Sequence, residues 1–277
     1  MVAGVELPID RFATADQMAE AIFGDGVQIE SATYTGDTDS SGIYTNGDAI
    51  APGVLPSDSG VMFSTGDLRS FTNNSSQSNL NSGTTSGSSG PNNVGDFNAA
   101  AGANTYDASF LDVEFIPTGD TMTMQLVFAS EEYPEYTNSE FQDFVGIWVN
   151  GNFVELSVGD GDVDPGNLNS GENENLFQDN TGDQLNTEMD GVTITLSLTM
   201  SVNPGEVNDI RIGIADVADS SYDSTLIIAA DSVQTSLIAN DDSVNVNPDG
   251  SKTFDVLGND DNSTGGTLTI THINGQA

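Results

Sequence analysis

Two segments of the chain alternate strictly between apolar and polar residues. The apolar side of residues 121–128 consists of Met122, Met124, Leu126 and Phe128. The apolar side of residues 192–200 consists of Val192, Ile194, Leu196, Leu198 and Met200. Successive side chains of a β-strand point to opposite faces. The period of two therefore predicts antiparallel strands with one buried face and one solvated face.

Further strands are predicted where short apolar runs lie between glycine, asparagine, aspartate and serine. These runs are residues 28–35, 60–64, 109–116, 144–149, 210–215 and 225–230. One short helix is predicted over residues 14–23, which carry apolar side chains at helical spacing, with Thr14 and Gln17 as a capping box. The expected fold class is all-β: an antiparallel β-sandwich of jelly-roll type with one short N-terminal helix.

Changes in composition divide the chain. Residues 72–93 are dominated by serine, asparagine, glycine and threonine, and we predict a flexible polar loop because they cannot bury enough apolar surface to order themselves. The first domain is expected to span residues 1–237. In residues 238–277, a hairpin over 242–257 and a strand over 267–273 form only part of an Ig-like β domain, which takes about 100 residues.

The chain is strongly acidic, with 43 Asp and Glu residues, four Lys and Arg residues and a net charge of −39. A compact body with this imbalance repels itself unless cations offset the charge. Ca²⁺ is a hard, oxygen-seeking cation and is the cofactor we expect, although high salt would also screen the charge. The scarcity of basic side chains argues against nucleic acid and anionic membranes as partners. The absence of cysteine excludes disulfides and thiolate metal sites.

The first candidate calcium site is a loop that contains Asp160, Asp162 and Asp164. Alternate carboxylates in a tight, glycine-containing loop converge on one ion, which is the spacing of calcium loops. Glu172 follows as a further candidate ligand. The match to an EF-hand is partial, because Pro165 stands where glycine is expected and Glu172 falls one position late. An ordinary acidic turn is the alternative interpretation.

The second candidate calcium site combines Glu131 or Glu132 with Asp143. The two glutamates follow a strong predicted strand, and Pro134 turns the chain into a loop. Adjacent residues of a continuing strand point in opposite directions, so we expect only one glutamate to face the site. A glycosidase would also use two carboxylates, and a solvated acidic loop is a third interpretation.

The third candidate calcium site contains Asp216, Asp219 and Asp223, which follow the strand predicted over residues 210–215. Their i, i+3, i+7 spacing does not fit one extended strand. The segment is therefore predicted to be a loop that folds around an ion.

Nucleophilic catalysis and zinc chemistry have little support. The only histidine is His272, in residues 238–277, so neither a Ser-His-Asp site nor a histidine zinc site can form within the first domain. Tyr133 and Trp148 are candidates for stacking on sugars, although the apolar neighbours of Trp148 are more typical of a core residue.

Residues 128–136 contain the motif Ser-Glu-Glu-Tyr-Pro and, together with residues 141–151, resemble the choice-of-anchor L domain of bacterial surface proteins. Residues 15–36 and 214–224 are similar to the same family. The resemblance implies an exported protein held at the cell surface, and it leaves the molecular activity open. The motif Asp-Val-Leu-Gly-Asn-Asp at residues 255–260 looks like the start of a cadherin-like or Ig-like tandem repeat.

These features predict a calcium-binding extracellular module of a large bacterial surface or matrix protein that acts in adhesion or self-assembly. Its expected partners are a surface ligand, a glycan or copies of itself, the last through unpaired strand edges. No stretch approaches the ~20 apolar residues of a membrane span, so direct membrane insertion is not expected. We expect no enzymatic activity. The alternatives are a carbohydrate-active hydrolase that uses Glu131 or Glu132, and a non-catalytic carbohydrate-binding module.

Overall fold

The computed structural model describes residues 2–235, together with 237–238, 253, 255–256 and 261–262. Residues 2–235 form two antiparallel β-sheets in a sandwich-like arrangement, which confirms the predicted fold class. The strands are β1 (Ile9–Asp10), β2 (Val27–Thr35), β3 (Ser41–Tyr44), β4 (Gly60–Ser64), β5 (Thr105–Pro117), β6 (Thr121–Ser130), β7 (Phe144–Val149), β8 (Asn152–Phe153), β9 (Phe177–Asp179), β10 (Gly191–Thr193), β11 (Leu196–Ser201), β12 (Asn208–Val217), β13 (Ser224–Ala229) and β14 (Gln234–Thr235).

The first sheet has the strand order β1-β3-β4-β13-β6-β10-β9, and β11 and β14 also pair with β6. The second sheet has the order β2-β5-β12-β7-β8. Strand β6 is central to the first sheet, because it pairs with β13 along one edge and with β10 and β11 along the other.

The main core lies between the two sheets. Sheet residues that meet there include Phe63, Met124, Leu126, Phe128, Leu111, Val113, Ile147, Ile212 and Ile214. Helix α1 (Ala15–Ile22) adds Met18, Ala19 and Ile22 to this core. Thr14 caps the helix and forms the predicted capping box with Gln17.

The outer faces of the sheets are more covered than the sequence predicted. Two further helices, α2 (Gly47–Ile50) and α3 (Gly95–Ala101), were not predicted. Behind the first sheet, Val127 and Ala129 of β6 are buried in a second apolar cluster. The prediction of one solvated face therefore holds for the first half of β6 and is wrong for the second half. On the second sheet, Phe97 of α3 covers Trp148, with ring centroids 4.9 Å apart.

The alternating run over residues 192–200 is not one strand. Val192 pairs with Ala129, whereas Leu196 pairs with Leu126, so four steps along one strand match three along β6. The extra residue between these pairs is a β-bulge. Beyond it, each side chain lies on the opposite face of the sheet from the one that unbroken alternation predicts. Ile194 lies within the interruption and is 39% exposed, which corrects its predicted place on the buried face.

Residues 72–93, called the strap below, contain no helix or strand, in agreement with the prediction of a loop. At the other end of the described chain, β15 (Leu237–Ile238) pairs with β16 (Asp261–Asn262) as a separate two-stranded sheet. The predicted hairpin over 242–257 and the strand over 267–273 lie outside the described residues, apart from the few positions named above.

Candidate metal site at one end of the sandwich

Two connections between the sheets cross at the same end of the sandwich. Residues 131–143 lead from β6 to β7, and residues 218–223 lead from β12 to β13. Strand β13 pairs with β6 in the first sheet, and β12 pairs with β7 in the second. The strand ends that adjoin the two connections are therefore neighbours. This topology brings together acidic residues that are far apart in sequence.

Glu132, Asp143 and Asp216 form a buried group at this end, called the central cluster below. Their exposed fractions are 1%, 1% and 3%. The backbone N–H of Asp143 donates to Glu132 Oε2 at 3.0 Å. The Asp143 carboxylate accepts hydrogen bonds from Val217 N at 3.2 Å and from Ser224 Oγ at 2.6 Å. Asp143 is thus the best-bonded member of the cluster.

The central cluster has an unbonded oxygen and no cation among its partners. Asp216 Oδ1 is buried without a hydrogen-bond partner. In the described part of the chain, the arginine ion pairs are made with Asp39, Asp67, Asp96 and Asp112, which lie outside the cluster. A buried carboxylate without a counter-charge is strongly disfavoured, so each group here needs a proton or a metal ion.

The pKa values reflect this environment. Burial raises the pKa of Glu132 to about 10, and the charge of Asp143 adds to the shift. Burial also raises the pKa of Asp143 and of Asp216 well above the usual value, and the charge of Asp143 contributes for Asp216. In the absence of metal, protons are therefore retained in the cluster at neutral pH.

Three other predicted ligands lie around the central cluster. Asp164 and Asp219 are near enough that their charges raise the pKa of Glu132. Asp164 is itself buried and accepts a hydrogen bond from Asn167 N at 2.8 Å, whereas Asp219 is half-buried. Asp223 is buried and accepts a hydrogen bond from the backbone N–H of Ser86 at 3.0 Å. Burial raises the pKa of Asp164 and of Asp223 to about 6.

The remaining members of the predicted calcium loop face elsewhere. Glu172 is exposed. Asp160 and Asp162 line an open cavity of about 660 Å³, together with Arg211 and the edge of Trp148. The three carboxylates of the predicted loop therefore do not share one site, since only Asp164 is close to the central cluster. Across the described residues, no three acidic or histidine side chains converge into a ready-formed metal site.

The aromatic candidates for sugar stacking are mostly buried. Tyr133 is 1% exposed and donates its hydroxyl to Leu168 O at 2.6 Å, while its ring packs on Phe177. Trp148 is 9% exposed and lies between Phe97 and Phe153. Both act as core residues, as the apolar neighbours of Trp148 indicated.

Sequence reasoning missed most of the acidic residues that bind the strap, and it assigned Asp223 a different role as a candidate calcium ligand. Carboxylates accept hydrogen bonds from strap backbone N–H groups or side chains at several points along it. These acceptors are Asp37, Asp183, Glu188, Asp190 and Asp223. The strap has few apolar side chains, so these charge-assisted hydrogen bonds replace a hydrophobic core as its attachment. The one sequence signal for these acceptors was the high content of hydrogen-bond donors in the Ser- and Asn-rich strap.

Glu131 turns away from the central cluster and toward the strap. It is 0% exposed, and its burial raises the pKa to about 9, with added repulsion from Asp190 and Glu188. Thr84 of the strap is close enough to lower this pKa slightly, yet neither the Glu131 oxygens nor Thr84 Oγ1 has hydrogen-bond geometry. The adjacent glutamates therefore face two different acidic groups.

These features define a β-sandwich module with buried carboxyl groups at one end. The profile of the choice-of-anchor L domain family matches residues 8–234. The match covers most of the chain, so the chain belongs to this family. Membership indicates a module of a bacterial surface protein. No curated protein and no solved structure matches the chain.

The cadherin-like repeat remains a prediction from residues 255–260. Within the described residues, no helix is both long and apolar enough to cross a membrane.

Proposed function

We propose that this module binds Ca²⁺ at the central cluster and that the ion stabilises it for adhesion or self-assembly at the bacterial surface. The observation that carries the proposal is the buried group of Glu132, Asp143 and Asp216. Among the described residues, Asp216 Oδ1 has no hydrogen-bond partner and no arginine forms an ion pair with the group. Such a group is stable in the folded protein only when it binds protons or a cation.

The donor chemistry favours calcium over other metals. The side chains of the central cluster offer carboxylate oxygens, and Ca²⁺ takes six to eight oxygen ligands that include carboxylates, carbonyls and water. The carboxyl groups of the metal-free cluster do not converge, so the proposal requires them to draw together when the ion replaces the bound protons. Ser130 Oγ and Ser224 Oγ, 2.8 Å apart beside Asp143, are further oxygens within the same buried group.

A calcium ion here would join the two sheets. Glu132 and Asp143 flank the connection from β6 to β7, and Asp216 lies at the end of β12. Binding by these residues would couple both crossovers at one point, and binding free energy would add to the free energy of folding. A rigid, calcium-dependent end is useful to a module that must bear contacts outside the cell.

The role we propose is non-catalytic. Glu131 and Glu132, the residues expected of a hydrolase, are at most 1% exposed, which leaves little of either carboxyl for a substrate. Self-association has a candidate edge in β2, a nine-residue strand for which β5 is the one pairing partner among the described residues. An unpaired edge of this length can accept a strand from another copy.

The test is thermal unfolding of the wild-type chain in EDTA and in millimolar CaCl₂, with calcium binding measured by calorimetry. We expect a clear rise in Tm, since an ion at about 100 times its Kd stabilises a protein by about 2.7 kcal/mol. Asp143→Asn keeps the shape of the side chain but removes a ligand charge, so it should lose most of the calcium-dependent rise.

The matched control is Glu20→Gln, an exposed acid on helix α1. It removes the same charge from the molecule and should respond to calcium as the wild type does. An equal rise in Asp143→Asn and wild type, or no rise in either with no heat of binding, contradicts the proposal.

A further inference from the structure

Most unbonded buried oxygens of the described chain lie beneath the strap. The buried side-chain oxygens without hydrogen-bond partners are Thr84 Oγ1, Glu131 Oε1 and Oε2, Asp183 Oδ2, Asp190 Oδ2 and Asp216 Oδ1. Apart from Asp216 Oδ1, they belong to the strap itself or to carboxylates beside it. Unbonded oxygens of this kind are costly, and native proteins normally pair them with a donor, water or an ion.

Glu131 and Asp190 are neighbours because of the strand register. In the ladder between β6 and β10, Gly191 lies opposite Ser130. Glu131 and Asp190 are the next residue on each strand, one step beyond that pair. Both are buried, with exposed fractions of 0% and 2%. Two buried carboxyls this close are not both ionised at low cost, so the pair keeps a proton unless a cation lies between them.

The strap leaves the inner oxygens of this pair free. Asn79 Nδ2 donates to Asp190 Oδ1 at 2.6 Å, and Asp190 Oδ2 has no partner. Thr84 of the strap lies beside Glu131, and its hydroxyl is also unbonded. Nearby, Leu80 N donates to Glu188 Oε2 at 2.7 Å and fixes the intervening backbone. The strap thus covers a group of oxygen atoms that it leaves without hydrogen bonds.

An open cavity reaches the Asp190 side of this group from the solvent, whereas Glu131 and Thr84 lie outside its wall. It has a volume of about 650 Å³, and Asp183 and Asp190 are in its wall. The strap, from Gln77 to Ser82, forms one side, and Pro134 with Glu135 forms another. A hydrated ion could therefore approach Asp190 without unfolding the sandwich.

We propose that a second divalent cation, calcium by the chemistry of its donors, binds between Glu131, Asp190 and Thr84 and fixes the strap to the sandwich. All the donors are oxygens, two of them carboxylates, and carbonyls or water complete the coordination. The site is separate from the central cluster. The choice of calcium follows from the same donor chemistry as in the proposed function.

The experiment combines calorimetry with hydrogen exchange, using the full chain and CaCl₂. The wild type should show two calcium-binding events, and calcium should slow exchange of backbone N–H groups in residues 77–86. The double variant Glu131→Gln, Asp190→Asn should lose one event and the slowed exchange in the strap. It should keep the calcium-dependent rise in Tm that comes from the central cluster.

Asp143→Asn is the complementary variant and should keep the slowed exchange in the strap. Thr84→Val replaces one hydroxyl of the strap by a methyl group. It should weaken calcium binding at the strap site, and it provides a test even if the double variant does not fold. Calcium that leaves exchange in residues 77–86 unchanged in the wild type overturns this inference. If the rise in Tm still depends on Asp143 in that case, the proposed function stands; if both responses are absent, both proposals fail.

Discussion

Glu131 and Glu132 directly follow the last residue of β6, and their buried carboxyls face different groups. Glu132 accepts a hydrogen bond from Asp143 N, while Glu131 faces Asp190 and Thr84. The sequence predicted opposite directions for a continuing strand; the two side chains face different groups although β6 ends at Ser130. It did not predict that both would be buried, because the cover over Glu131 comes from the strap around Thr84, 47 residues earlier in the chain.

Without metal, the protein should lose stability as the pH rises from about 5 to about 10. A carboxyl with a higher pKa in the folded state binds its proton more tightly when folded. Its stabilisation is complete below the ordinary value of 4.5 and is lost as the pH rises through about 9 for Glu131 and about 10 for Glu132. Measurements of Tm in EDTA across this range check the sign.

Self-repulsion of the acidic surface acts in the same direction, so a variant must separate the two effects. The double variant Glu131→Gln, Glu132→Gln replaces the two carboxyls by amides that do not titrate, while nearly all of the surface charge remains. Its Tm should fall less steeply with pH than that of the wild type. A wild-type Tm in EDTA that is constant or increases over this range contradicts the assigned pKa shifts.

At the scale of elements, the sequence predicted the strands and the helix whose bounds depend on neighbouring residues. The strands at residues 60–64 and 144–149 were found with the predicted bounds, and helix α1 begins after Thr14 as its capping box requires. The predicted strand over 192–200 was wrong at Ile194, because a bulge depends on how β10 and β11 each pair with β6. Because the pairing partners are distant in sequence, a run of alternating residues does not indicate where a bulge interrupts the strand.

The candidate site was likewise predicted only in part from the sequence. Asp143 and Asp216 were predicted as ligands in separate groups, and the topology joins them because both crossovers lie at one end. The prediction of a loop at Asp216 was wrong, because β12 extends to Val217 through its pairing with β5. Asp190 was not predicted at all, since one acid before a short strand has no motif around it. Spacing along the chain identifies ligands that share one loop, and it cannot identify ligands that four strand ends bring together.

Helix α1 provides a test of local stabilisation. Thr14 Oγ1 accepts a hydrogen bond from Gln17 N at 3.2 Å, and Gln17 Oε1 accepts one from Thr14 N at 2.9 Å. Thr14→Ala should lower the free energy of unfolding by about 1 kcal/mol, the usual cost of losing an N-cap. Thr14→Ser keeps the hydroxyl and should remain close to wild type in urea unfolding. Equal losses in both variants would show that the methyl group, and not the cap, matters.

At the scale of the whole molecule, the net charge of −39 is distributed unevenly with respect to burial. Acids such as Glu20 and Glu30 are exposed on the surface, where water and salt screen them. Glu131, Glu132, Asp143 and Asp216 are buried, where salt has little access. Screening and specific binding therefore act on different carboxylates and can be separated by experiment.

Calcium should stabilise the protein more than an equal ionic strength of NaCl. Sodium chloride screens the exposed acids, and near 1 M the Debye length falls to about 3 Å, yet the buried acids keep their unfavourable surroundings. Calcium can replace the protons of the buried groups, so millimolar CaCl₂ should raise Tm beyond the value reached in NaCl of matched ionic strength. MgCl₂ at the same concentration is the control for divalent charge, because Mg²⁺ gives up its water reluctantly and demands near-octahedral geometry. Equal Tm values in the three salts would mean that diffuse screening alone offsets the charge.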